Sequence, residues 1–262
     1  VKVTLLATAA AAVLFAAAPA LAGEVVGHVD AGYSLQSWDF EDGDSADNTD
    51  LSLGGGFATA FGNGLVLQGD GQMNRYTWDG DEESSSFGYA AVHLATRNDQ
   101  YAFGAFAGEL GYYNNSGLMG GVEGQVFLER ATLSGSLGYA QVDDWFADVK
   151  GWSAQAGAKY FVNDNFSVDA AVGYGDWDAW SEFNNWNASV TGEYKFAGSP
   201  ASVYAGYRHD ENSYEDDDGI AIDTFTIGLR LAFGAATLRD RDRHGASLDG
   251  AKAMADNFVH YY

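Results

Sequence analysis

The chain has 262 residues, with 37 acidic side chains against 13 basic ones and a formal net charge of −24, a balance that argues against nucleic acid as a partner. Its 34 glycines recur inside apolar runs where a helix would reject them, so an α fold is disfavoured. The absence of cysteine removes disulfides and thiolate metal sites.

Residues 1–22 carry one early lysine, Lys2, then an apolar run and a Pro19-Ala20-Leu21-Ala22 end of small-x-small type. This is the pattern of a secretory signal cleaved after Ala22. No later stretch approaches about 18 consecutive apolar residues, so any membrane crossing after export must be made by strands.

From Glu24 onward, twelve segments of about ten or more residues alternate with a period of two. In the first, 25–36, Val29, Ala31, Tyr33 and Leu35 oppose His28, Asp30, Ser34 and Gln36. The acidic, non-periodic stretch 39–49 reads as a long loop, and 50–61 follows with Leu51 and Leu53 opposite Ser52 and Gly54. Gly62-Asn63-Gly64 reverses the chain into a strand with Leu65, Leu67 and Met73 opposite Gln68, Asp70, Gln72 and Asn74. After an acidic loop at 79–86, segment 86–96 sets Val92 and Leu94 against Tyr89 and His93. Segment 101–112 places Phe106, Leu110 and Tyr112 on its apolar face and Glu109 on the polar one, and 118–128 sets Val122 and Val126 against Glu123 and Gln125.

Segment 131–142 opposes Leu133, Leu137 and Tyr139 to Thr132, Ser134 and Ser136; in 151–161, Trp152 and Tyr160 oppose Gln155 and Lys159. The clearest alternation is 166–180, FSVDAAVGYGDWDAW, in which Phe166, Val168, Ala170, Val172 and Tyr174 share a face opposite Ser167 and Asp169. Segments 186–196 and 201–210 repeat the scheme with Glu193 and Lys195, then Arg208, on the polar face. In 222–233 the row Phe225, Ile227, Leu229, Leu231 and Phe233 lies opposite Arg230.

Short turns alternate with long loops along the chain. Strands leading into loops end in Gly-Tyr, as at Gly32-Tyr33, Gly138-Tyr139 and Gly173-Tyr174, and strands leading into turns end in Phe or Tyr. Two aromatic belts flanking an apolar band suit a lipid slab with two interfaces. Residues 23–233 are therefore expected to form an all-β, closed antiparallel up-and-down transmembrane β-barrel of twelve strands. A soluble sandwich shares the alternation but not the export signal, the belts or the turn and loop rhythm.

This pattern resembles the porin-like outer-membrane β-barrel proteins of Gram-negative bacteria, on the strength of the Ala20-Leu21-Ala22 signal, the alternating strands and the last aromatic-rich strand ending at Phe233. The resemblance implies residence in the bacterial outer membrane among lipids and lipopolysaccharide, delivery by the barrel-assembly machinery, and passive diffusion of small hydrophilic solutes or cations. It carries no catalytic, cofactor or metal motif. The expected pore lining is Asp30, Asp70, Glu109, Glu123, Lys159, Asp169, Glu193, Lys195, Arg208 and Arg230, a mildly cation-favouring set. Lys159 should face Asp169 across the turn at 163–165, and Arg230 should lie near His28 and Asp30. The alternative is a closed structural or surface-binding barrel whose interior ion pairs only hold it together.

The acidic loops at 39–47, 79–83 and 215–218 are expected to be solvated or to meet divalent cations; the last does not fit an EF-hand, because its twelfth position is Phe225. His209 falls on the lipid-facing row with Asp223 beside it, but no serine on that row completes a hydrolase site. Residues 234–262 lose the two-residue period and carry Arg239, Arg241, Arg243 and Lys252. They are expected to form a periplasmic, loosely ordered extension, with a cell-wall anchor or a partial plug as the functional alternatives.

Overall fold

The computed structural model describes residues 25–40, 43–79, 84–112, 115–142, 148–179, 182–214 and 219–259. The expected signal segment and the acidic clusters at 41–42, 80–83 and 215–218 lie outside the described residues. Twelve strands form the wall: β1 (Val25–Phe40), β2 (Ser45–Ala60), β3 (Leu65–Trp78), β4 (Ser84–Arg97), β5 (Tyr101–Tyr112), β6 (Asn115–Phe127), β7 (Ala131–Val142), β8 (Val149–Asn163), β9 (Phe166–Asp178), β10 (Glu182–Lys195), β11 (Ala201–Tyr214) and β12 (Ile220–Phe233). Each pairs antiparallel with its sequence neighbour, and β12 closes on β1 with Arg230 opposite Asp30. Closure satisfies every ladder and leaves no edge for lipid to strip of hydrogen bonds.

The apolar rows point outward. Leu118 is 74% exposed, Ile227 63% and Leu229 61%, values that make sense only for a surface meant for hydrocarbon. The strands run to 12–16 residues, longer than the roughly 9–11 that span a bilayer. The excess extends the loop end. Thus 39–49, read from its composition as a loop, is mostly hairpin: β1 continues to Phe40 and β2 resumes at Ser45, with Ser37 donating to Asp47 at 2.8 Å. β11 likewise runs on to Tyr214, through residues read as part of the next loop.

At the turn end, Gly234 adopts a φ of +74°, a left-handed conformation that glycine enters without strain, and the chain doubles back after β12. It goes into the barrel. Helix α1 (Leu238–His244) is followed by a bend and helix α2 (Gly250–Val259), and both are packed inside the wall. The segment from Gly234 to Val259 is therefore the partial plug given above as an alternative, and not the loosely ordered periplasmic extension that its lost periodicity and charge suggested. The lumen wall supplies the partners that solvent was expected to provide.

Candidate functional site

The bore is occupied by the chain's own C-terminal segment. Thr237 caps α1, its hydroxyl accepting from the Asp240 amide at 3.0 Å, and the Leu238 amide donates to the Asp164 carbonyl in the β8–β9 turn at 2.9 Å. From α1, Arg241 reaches Glu193 on β10 with two parallel bonds of 2.9 and 2.7 Å. Asp242 accepts from Thr132 at 2.6 Å and from Lys159 at 3.3 Å. Such bidentate, charge-assisted contacts fix orientation as well as position.

The bend after α1 is tied by side-chain amides and by Arg97. Gln125 donates to the Ser247 carbonyl at 2.6 Å and accepts from its hydroxyl at 3.1 Å, while Gln68 grips the Leu248 carbonyl at 2.6 Å and its amide at 3.1 Å. Arg97 donates to the Gly245 carbonyl at 2.9 Å. At the start of α2, the Gly250 amide donates to Glu123 at 2.8 Å; the other carboxylate oxygen of Glu123 lies 2.5 Å from His93, whose second ring nitrogen is 2.8 Å from Asp70. A methyl group at 250 would stand 2.8 Å from the Phe106 ring, so only glycine permits this close approach.

α2 is amphipathic, and it divides the bore. Ala251, Met254, Ala255 and Phe258 pack on an apolar patch of the inner wall that includes Phe87, Tyr89, Phe106, Leu110, Met119 and Trp177. Phe258 meets Trp177 edge-on at 5.5 Å and stacks with Phe87 at 6.4 Å, close to the loop end of β4 and β9. The opposite side of α2, with Lys252 and Asp256, faces a chamber of about 360 Å³ walled by β1–β3, β8–β12 and the plug itself. Asp249 opens onto the same chamber; enclosure by the wall, opposed by Lys159, pushes its carboxyl up to about 6. Towards the loop end, Trp38 and Trp78 pack with ring centroids 5.1 Å apart.

Of the residues expected to line the pore, Asp30, Asp70, Lys159, Asp169, Glu193, Arg208 and Arg230 do border this chamber. Lys159 and Asp169 are register partners 3.9 Å apart, and Arg230 lies 3.4 Å from Asp30 and 2.7 Å from Glu193, as the turn and closure geometry required. Glu123 points inward but is covered by α2, and Lys195 is spent at the turn end, donating to the Ser199 carbonyl at 2.6 Å. Glu109 is misplaced by the sequence reading. It pairs with Ala90 and Leu118 on the outer face, while Phe106 and Leu110 turn inward against α2. His209 and Asp223 do meet on the outer face, at 2.8 Å, with Tyr207 rather than a serine as the third group on Asp223.

The signal for the plug was present in the strands. Phe87, Tyr89, Phe106, Met119 and Trp177 put large apolar groups on a face that a water-filled bore would leave polar. No family model matches the sequence, and no curated protein matches it. Among solved structures, an outer-membrane channel from Pseudomonas putida F1 superposes with a TM-score of 0.61 at 12% identity over 80% of this chain and 96% of that one. The β domain of a Bordetella autotransporter follows with a TM-score of 0.52 at 14% identity, over 79% of this chain and all of that one. At such identities the likeness is one of fold, and the fold is that of the porin-like outer-membrane barrels.

Proposed function

We propose that this protein is an outer-membrane channel for small hydrophilic solutes that is held at low conductance by its own C-terminal segment. The observation that carries the reading is the division of the bore by α2 into a dry half, packed on aromatic wall, and a wet half of about 360 Å³ lined by charged and hydroxyl groups. More carboxylates than cationic side chains border that chamber, so the passage favours cations. The similarity in fold to a bacterial channel supports the class, and the direction and size of the selectivity come from the residues of this chain.

The packed aromatic core around Phe258 supports the second reading, a barrel that stays shut. Planar-bilayer recording of the full mature chain separates the two. Brief, small openings with a reversal potential on the cation side are expected, becoming longer when Arg241→Ala and Asp242→Ala together release α1. Silence from both proteins would refute the channel, and long-lived large steps from the unaltered chain would refute the plug.

A further inference from the structure

The two helices of the plug are held by different chemistry. α1 and the bend after it are bound to the wall through ions and through paired polar contacts: Arg241 to Glu193, Asp242 to Lys159, Arg239 to Asp164 at 3.0 Å, and Ser247 and Leu248 to Gln125 and Gln68. Those partners sit on β3, β6, β8 and β10 and in the β8–β9 turn, so the seat is held by several strands at once. α2 is held mainly by apolar packing. Its backbone lies against β4 to β9, where the contacts are mainly apolar, and its last turn is polar-bonded to β10 and β11, Asn257 accepting from Asn187 at 2.6 Å and from Arg208 at 3.1 Å.

Geometry sets the direction in which α2 can go. Below it α1 fills the turn end; beside it lies the chamber; above it is the loop end, where Phe258 already reaches the level of Trp177. We infer that α2 alone is the gate, pivoting at Leu248–Gly250 away from the β4–β9 wall, while α1 is a fixed seat that stays docked when the channel opens. This regulation rests on the channel reading above. On leaving the wall α2 exposes the apolar patch around Phe106 and Trp177, a cost that keeps the open state scarce. It keeps its own internal tie, Lys252 to Asp256 at 2.5 Å, and so moves as a helix.

The absence of cysteine makes the test clean. In the full chain, Asn187→Cys with Asn257→Cys tethers α2 to β10, and Gln125→Cys with Ser247→Cys tethers the seat to β6. Each pair is joined by a short bis-methanethiosulfonate cross-linker that reductant releases. Bilayer openings should vanish when the first pair is joined and return on reduction, and should persist when the second is joined. Openings that survive the α2 tether, or that are lost with the seat tether, overturn the inference. Should every form be silent, the channel reading fails, and the motion is still read from labelling by a water-soluble maleimide. Met254→Cys must react at least about tenfold faster than Ser247→Cys, a difference of about 1.4 kcal/mol in local opening. Equal or slower reaction at 254 overturns the gate.

Discussion

Replacing Arg241 by alanine tests whether the seat is held as described. Arg241 is buried and makes two bonds, 2.9 and 2.7 Å, to the carboxylate of Glu193. Hydrogen bonds to a charged group contribute about 1.5–3 kcal/mol each. Glu193 is not left stranded by the change, because Arg230 at 2.7 Å and the Ser202 hydroxyl at 2.5 Å remain, so the lower end applies and the pair is worth about 3 kcal/mol. That corresponds to about a hundredfold rise in the undocked population of α1. Glu193→Gln should cost more, about 3–5 kcal/mol, since it removes the carboxylate that Arg241 pairs with inside the bore, while Arg230 keeps Asp30. Both are measured by maleimide labelling of a Ser247→Cys reporter in the detergent-solubilised barrel, with far-UV circular dichroism to confirm that the strands persist. Labelling as slow in Arg241→Ala as in the reporter alone, with the barrel intact, would refute the account of what anchors the plug.

Two further changes probe the two faces of the wall. Phe258→Ala removes a fully buried ring from between Phe87 and Trp177, at a cost of about 3–5 kcal/mol to α2 docking, and should raise the opening frequency and shift the Trp177 emission to the red; unchanged gating would mean the aromatic pocket does not hold the helix. Leu229→Arg puts a charge on the outer row of β12 and should destabilise the inserted barrel by about 2–4 kcal/mol in urea titrations of vesicle-refolded protein. Equal stability of this variant would show that Leu229 does not face acyl chains.

The wall was legible in the sequence because lipid imposes a strict rule on one face. Leu229, Ile227 and Val172 could be assigned outward from alternation taken with the aromatic belts and the rhythm of turns and loops, and closure then placed Arg230 beside Asp30. The rule says nothing about the inner face. Where the inner face is itself apolar, as in β5 with Tyr101 and Phe103 outside and Ala102 and Phe106 inside, alternation fades and Glu109 was assigned to the wrong side. The plug was harder still to read. Its charges look solvated until their partners are known, and those lie far away in sequence: Glu193 is 48 residues from Arg241, and Lys159 is 83 from Asp242. A run such as Leu238 to Arg243 carries no local trace of being enclosed. Its environment is set by strands folded elsewhere in the chain.

The reversal at Gly234 also fixes an order of assembly. The groups that grasp the returning segment, Gln68, Arg97, Glu123, Lys159 and Glu193, belong to β3, β4, β6, β8 and β10, and they converge only once those strands and the ones between them have paired side by side. The returning segment therefore docks only after those strands have paired, because its partners are spread over five of them.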